Sequence, residues 1–179
     1  MVGSLKIYIS NDVKMTEKNL RNEAYNIVMS FINETAIKQI DYDKMTWRGK
    51  WVIELASWKI MWIDFRVVFY EMGHPCAYIR VPEQCYELTN ILKTEWYDWI
   101  PIQTCHWGFT FWQFTEEWDT RGFWKWLWIG WDYWHYGDYA GYLKDLSFAE
   151  ESRKRTTTDI LIEVVEQILA LREWGYLYT

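Results

Sequence analysis

Three residues of the stretch Gly130-Trp131-Asp132-Tyr133-Trp134-His135-Tyr136-Gly137-Asp138 could do chemistry together. Asp132, His135 and Asp138 lie three apart, so a turn or short helix would bring them to one side. Two carboxylates and an imidazole gathered this way can bind a metal, run acid–base chemistry, or grip the hydroxyl and N–H groups of a ligand. A metal site would need a further ligand, which His106 could supply only if the fold brings it near. The plainer alternative has Asp132 and Asp138 capping backbone turns, with His135 satisfying them. No serine or cysteine stands in a nucleophile turn.

A second group is His106-Trp107-Gly108-Phe109-Thr110. On a strand, His106, Gly108 and Thr110 would share a side: an imidazole, a gap that admits a ligand or another backbone, and a hydroxyl. An ordinary strand edge with polar residues reads the same way. The third feature is aromatic. The chain holds 15 tryptophans, ten of them between Trp96 and Trp134. Alternation along Phe123–Trp131 puts Trp124, Trp126 and Trp128 on one face, and Phe123, Lys125, Leu127 and Ile129 on the other. Such a row of indoles is either core beneath helices or a platform, which contributes about 1–3 kcal/mol per stacked base.

The elements that must position these groups are legible from periodicity. Leu5–Ile9 alternates and predicts a short first strand, and Leu20, Ala24, Ile27, Val28, Phe31 and Ile32 predict a helix over about Thr16–Ile40, capped by Thr16. Trp51–Ala56, Met61–Tyr70, Cys76–Val81, His106–Phe114 and Phe123–Trp131 read as strands. Thr156 to Asp159 offers an N-cap and an acid for a C-terminal helix. Its stripe is Ile160, Leu161, Val164, Val165, Ile168 and Leu169, with Glu163, Glu166 and Gln167 on the wet face. Many short strands in sequence favour an antiparallel meander over a βαβ array. The expected fold is therefore α+β: a mostly antiparallel central sheet, with the long N-terminal helix and the C-terminal helix packed on one side. A length of 179 residues, without repeats or linkers, predicts a single domain over 1–179.

Half of the residues are hydrophobic and a quarter charged, which allows a sizeable core in a soluble chain. A net charge of −6 argues against a binder of nucleic acid duplexes. The one basic cluster, Arg153-Lys154-Arg155, reads as a solvated loop. No signal pattern or membrane-length apolar run is present, and Cys76, Cys85 and Cys105 fit reduced thiols in a cytoplasm.

Three segments carry a resemblance. Cys76-Ala77-Tyr78-Ile79-Arg80-Val81-Pro82 is similar to C-G-Y-V-x-V-P, His106 to Thr110 to H-G-G-x-T, and Trp128 to Asp138 to W-x-G-F-D-x-x-H-x-G-D. In this order, and followed by a terminal helix, they resemble a group of small uncharacterised proteins encoded by phages and prophages, over roughly residues 76–170. The resemblance implies a phage-derived protein of the host cytoplasm and implies no activity. It directs attention to His106, Gly108, Thr110, Asp132, His135, Gly137 and Asp138. The chain departs from the pattern at Trp107, where a second glycine would stand, and at Trp131, where Phe is usual.

The first functional expectation is capture of a small nucleotide-like ligand, for instance a host immune signal, on an aromatic pocket. The expected ligand-binding residues are Arg80, His106, Trp107, Gly108, Thr110, Trp126, Trp128, Trp131, Asp132, His135 and Asp138. The second is an inhibitor that docks on a host defence protein such as a CRISPR effector, since Trp and Tyr dominate interface hot spots. The third is a small metal-assisted hydrolase using Asp132, His135 and Asp138. The ranking favours binding over catalysis and assigns no catalytic residue, metal or cofactor. Aromatic residues left over from a pocket could also form a homo-oligomer interface.

Overall fold

A computed structural model describes residues 16–42, 52–70, 73–82, 85, 105–106, 108–119, 122–135, 137–139 and 152–177. The expected strand at Leu5–Ile9 lies outside them. The elements in order are α1 (Glu17–Glu34), β1 (Val52–Ile60), β2 (Ile63–Tyr70), β3 (Pro75–Pro82), β4 (Phe111–Asp119), β5 (Gly122–Asp132) and α2 (Thr157–Glu173). The fold is α+β: one five-stranded sheet, order β1-β2-β3-β5-β4, with every pairing antiparallel. Strand β5 enters between β3 and β4, so the indole-rich strand is internal rather than at an edge.

Period-two alternation makes the two faces of the sheet chemically different. One cross-strand row runs Trp58, Phe65, Ile79, Ile129, Trp112. Its central members Phe65, Ile79 and Ile129 are sealed from water, as are Val67, Ala77 and Leu127 in the neighbouring rows. Each buried aliphatic or aromatic side chain of this kind contributes about 1.5–3 kcal/mol. This is the face the helices cover: Phe31 of α1 stacks on Trp58 at 4.2 Å and meets Phe65 edge-on. The adjacent row, Lys59, Asp64, Arg80, Trp128, Gln113, points the other way.

Helix α1 stops six residues short of the expected Ile40. Thr35 is extended (φ −135°, ψ 131°), and the chain then runs beside β1, where the Lys38 amide donates to the Leu55 carbonyl. The Thr16 side chain makes no cap hydrogen bond; the Thr16 carbonyl instead accepts from the amides of Asn19 and Leu20. At α2 the expected cap is present as a reciprocal box: the Asp159 amide donates to Thr156 Oγ1 and the Thr156 amide to the Asp159 carboxylate.

The expected wet face of α2 is corrected. Glu163, Glu166 and Gln167 are all buried, because α1 and the segments that carry Cys105 and Arg155 pack against them. Each finds a partner there. Arg21 of α1 reaches Glu166 at 3.0 Å, the Cys105 amide donates to Gln167, and Arg155 approaches Glu163 at 3.4 Å. Arg155 is likewise buried, so of the basic cluster only Arg153 and Lys154 are solvated.

The β1–β2 hairpin turns through Met61 (φ 47°) and Trp62 (φ 73°), both in the left-handed region that favours glycine or asparagine. Met61 is tied inward, its Sδ accepting from Arg172 Nη1 at 3.0 Å, and Trp62 is left 70% exposed.

Candidate functional site

The sequence-predicted site residues separate into two places. Trp107 lies outside the described residues, as does the side chain of Trp124.

The first place is a polar network beside the N-terminal half of α2. His106 does not begin a strand, since β4 starts five residues later; it sits in a turn closed by the Gly108 amide donating to the Cys105 carbonyl. Gly108 has φ 82°, so it serves that turn and is buried rather than opening a gap in a strand. Both nitrogens of His106 are engaged: Nε2 with Asp138 Oδ2 at 2.7 Å and Nδ1 with Arg155 Nη2 at 2.8 Å. A guanidinium can only donate, so Nδ1 accepts and Nε2 carries the proton toward Asp138. The backbone amide of His106 donates to Glu163, and the ring stacks on Tyr133 at 5.2 Å.

Electrostatics bind this network together. Burial pushes the Asp138 carboxyl up, but the hydrogen bonds from His106 and the His135 amide and the charge of Arg155 outweigh it and hold it below its usual range. Burial raises Glu163, and the His106 amide and Arg155 offset only part of that rise. Asp138 also accepts from the His135 amide at 3.1 Å, which is turn capping. His106 therefore has no free nitrogen for a ligand or a metal, and the expectation of a binding imidazole there is corrected.

Asp132 does not join Asp138. It accepts from Thr110 Oγ1 at 2.7 Å and from the Trp134 amide at 3.0 Å, with His135 Nε2 3.6 Å away. The expected trio is thus divided: Asp132 holds Thr110 and the Trp134 amide, while Asp138 holds His106 and the His135 amide. Among the described residues, no group of three or more His, Cys, Asp or Glu is arranged to hold a metal ion. Trp131 is corrected as well. By parity it falls with Leu127 and Ile129, is 1% exposed, and donates its indole N–H to Tyr133 at 3.0 Å in the core.

The second place is the open face of the sheet. Trp126 and Trp128 both lie there, partly exposed and opposite the helices. The Arg80 guanidinium stacks over Trp126 at 4.3 Å from the ring centre and 5.7 Å from that of Trp128. Arg66 approaches Trp128 at 5.3 Å. Asp64 pairs with Arg80 through one carboxylate oxygen and takes Lys59 on the other at 3.2 Å, while Glu54 reaches Arg66 at 3.9 Å. All of these groups but Trp126 line an open cavity of about 430 Å³, which Trp58 and Phe65 also border. That size lies within the range of small-molecule sites.

The sequence reading missed Lys59, Asp64 and Arg66. The alternation of Met61–Tyr70 already grouped Asp64 with Arg66, but their meeting with β5 depends on long-range register. Further along the same face Gly130 sits between Tyr78 and Phe111, whose rings meet edge-on at 5.4 Å. A Cβ on Gly130 would lie 2.4 Å from Tyr78 Cδ1 and 2.7 Å from the Ala77 carbonyl oxygen. The glycine of the third motif therefore makes room for a tyrosine ring folded across the strand.

Cys76, Cys85 and Cys105 are all buried. Among the described residues no helix is long and apolar enough to cross a membrane. Comparison with protein-family models, curated proteins and solved structures finds no match to the chain.

Proposed function

We propose that the protein captures a small, flat, anionic ligand of nucleotide type on the open face of its sheet. One observation carries the reading: Trp128, flanked by the guanidinium groups of Arg66 and Arg80, walls a water-accessible cavity. A base can stack on indole while a phosphate meets the arginines bidentately. Of the expected polar members the pocket keeps Arg80, and it adds Arg66 and Lys59 in place of His106, His135 and Asp138. Combined with the phage resemblance, such a ligand would be a host immune signal whose removal protects infection. Calorimetry with cyclic and ADP-ribose-type nucleotides tests the reading. A ligand that gives heat with wild type should lose at least about fivefold in affinity in Trp128→Ala, given about 1–3 kcal/mol per stacked base. No heat from any of them at near-millimolar ligand would end it.

A second reading, docking on a host defence protein, draws on Trp62, which stands 70% exposed at a strained hairpin tip. Binding to an isolated CRISPR effector that Trp62→Ala abolishes would favour it over ligand capture.

A further inference from the structure

Resting on the nucleotide reading, we infer that the open-face cavity selects a ligand carrying a single phosphodiester charge over phosphomonoesters and polyphosphates. Among the described residues that line it, three cations (Lys59, Arg66, Arg80) stand against two carboxylates (Glu54, Asp64), leaving one surplus positive charge. Both guanidinium groups lie within 5.7 Å of the centre of one indole, so the charge of the ligand must sit close to its flat ring system. Among the described residues, the cations lining the cavity are these three. Glu54 and Asp64 bound the cations, through contacts at 3.9 Å to Arg66 and 3.2 Å to Lys59.

The energetics follow from the charge count. The first negative charge of a ligand neutralises the surplus and is attracted. A second charge meets a site already neutral, lies beside two carboxylates, and still loses hydration on entry. A phosphodiester carries one charge at neutral pH, whereas a phosphomonoester carries between about 1.5 and 2. A neutral nucleoside satisfies the indole but leaves the cations uncompensated. Asp64 then acts as an internal counter-ion: it occupies Arg80 and Lys59 from one side and fixes how much negative charge the cavity accepts.

The test is a comparative titration of adenosine, 3′,5′-cyclic AMP, AMP and ATP into the full chain, followed by Asp64→Asn and Glu54→Gln. Each substitution adds one unit of positive charge. Glu54, with its side chain half exposed, provides the variant if Asp64→Asn fails to fold. Wild type is expected to bind cyclic AMP at least about tenfold more tightly than AMP, ATP or adenosine. Either variant should raise the affinity of AMP relative to cyclic AMP by about tenfold at low salt. AMP or ATP binding as tightly as cyclic AMP, or an unchanged ratio in both variants, overturns the charge inference while leaving ligand capture standing. Adenosine matching cyclic AMP does the same. Failure of all four to bind removes this inference together with the nucleotide reading for these ligands.

Discussion

Arg155 donates from Nη2 to Nδ1 of His106 at 2.8 Å, and that one contact decides the role of the histidine. With Nδ1 occupied by a donor, the remaining ring proton sits on Nε2 and points at Asp138. The imidazole links a buried arginine to a buried carboxylate and has no lone pair left for chemistry.

His106→Ala should therefore cost stability rather than ligand affinity. It takes one donor from Asp138, whose side chain is 4% exposed, and the acceptor from Arg155 Nη2, at about 1–3 kcal/mol. Urea unfolding measures the loss. Ligand affinity of the folded fraction should stay within about twofold of wild type, since the open face lies across the sheet. A large affinity loss with unchanged stability would reverse the assignment.

Acid should weaken the fold through His74. Burial lowers the pKa of its imidazole below the ordinary 6.5, with the Asp132 carboxylate opposing in part. The folded state thus binds fewer protons than the unfolded one. The contribution is fully present above pH 6.5 and is lost as pH falls through the depressed value. His74→Phe, which keeps a ring stacked against Trp134, should flatten that part of a urea-midpoint profile recorded between pH 7.5 and 5. Parallel profiles would show that His74 does not titrate there.

Gly130→Ala should destabilise by about 1–3 kcal/mol, because its methyl would overlap both the Tyr78 ring and the Ala77 carbonyl. Adding Tyr78→Ala removes the ring but not the carbonyl, so thermal melts should recover only part of the loss. Full recovery would mean that the backbone contact costs nothing.

Trp62→Gly should raise stability by about 1 kcal/mol, since a left-handed φ of 73° costs a β-carbon-bearing residue and not glycine. A lower urea midpoint would instead reveal that the exposed indole packs on the body of the fold.

Much of the fold was legible because a sheet covered on one side writes a period of two. Ile63, Phe65, Val67 and Phe69, and later Leu127 and Ile129, declared the buried face, and Trp126 and Trp128 followed onto the open one. The same parity assigns Trp131 to the core; its place in a motif beside Asp132 obscured that. Glu163, Glu166 and Gln167 misled because a polar side chain reads as wet unless its partner is known. Their partners, Arg155, Arg21 and the Cys105 amide, come from distant segments that no local period reports. Arg80 was singled out on proximity to a motif, whereas Lys59 and Arg66 reach the cavity only through the β1–β2–β3–β5 register.

Capture on the open face is most directly tested by the indole N–H resonances of the 15 tryptophans, assigned through single Trp→Phe variants and followed as cyclic AMP is added to near-millimolar concentration. The account predicts that Trp128 shifts most and Trp126 with it, while Trp131, sealed on the opposite face, stays still. Shifts centred on Trp131 or on residues around His106, with Trp126 and Trp128 unmoved, would contradict it.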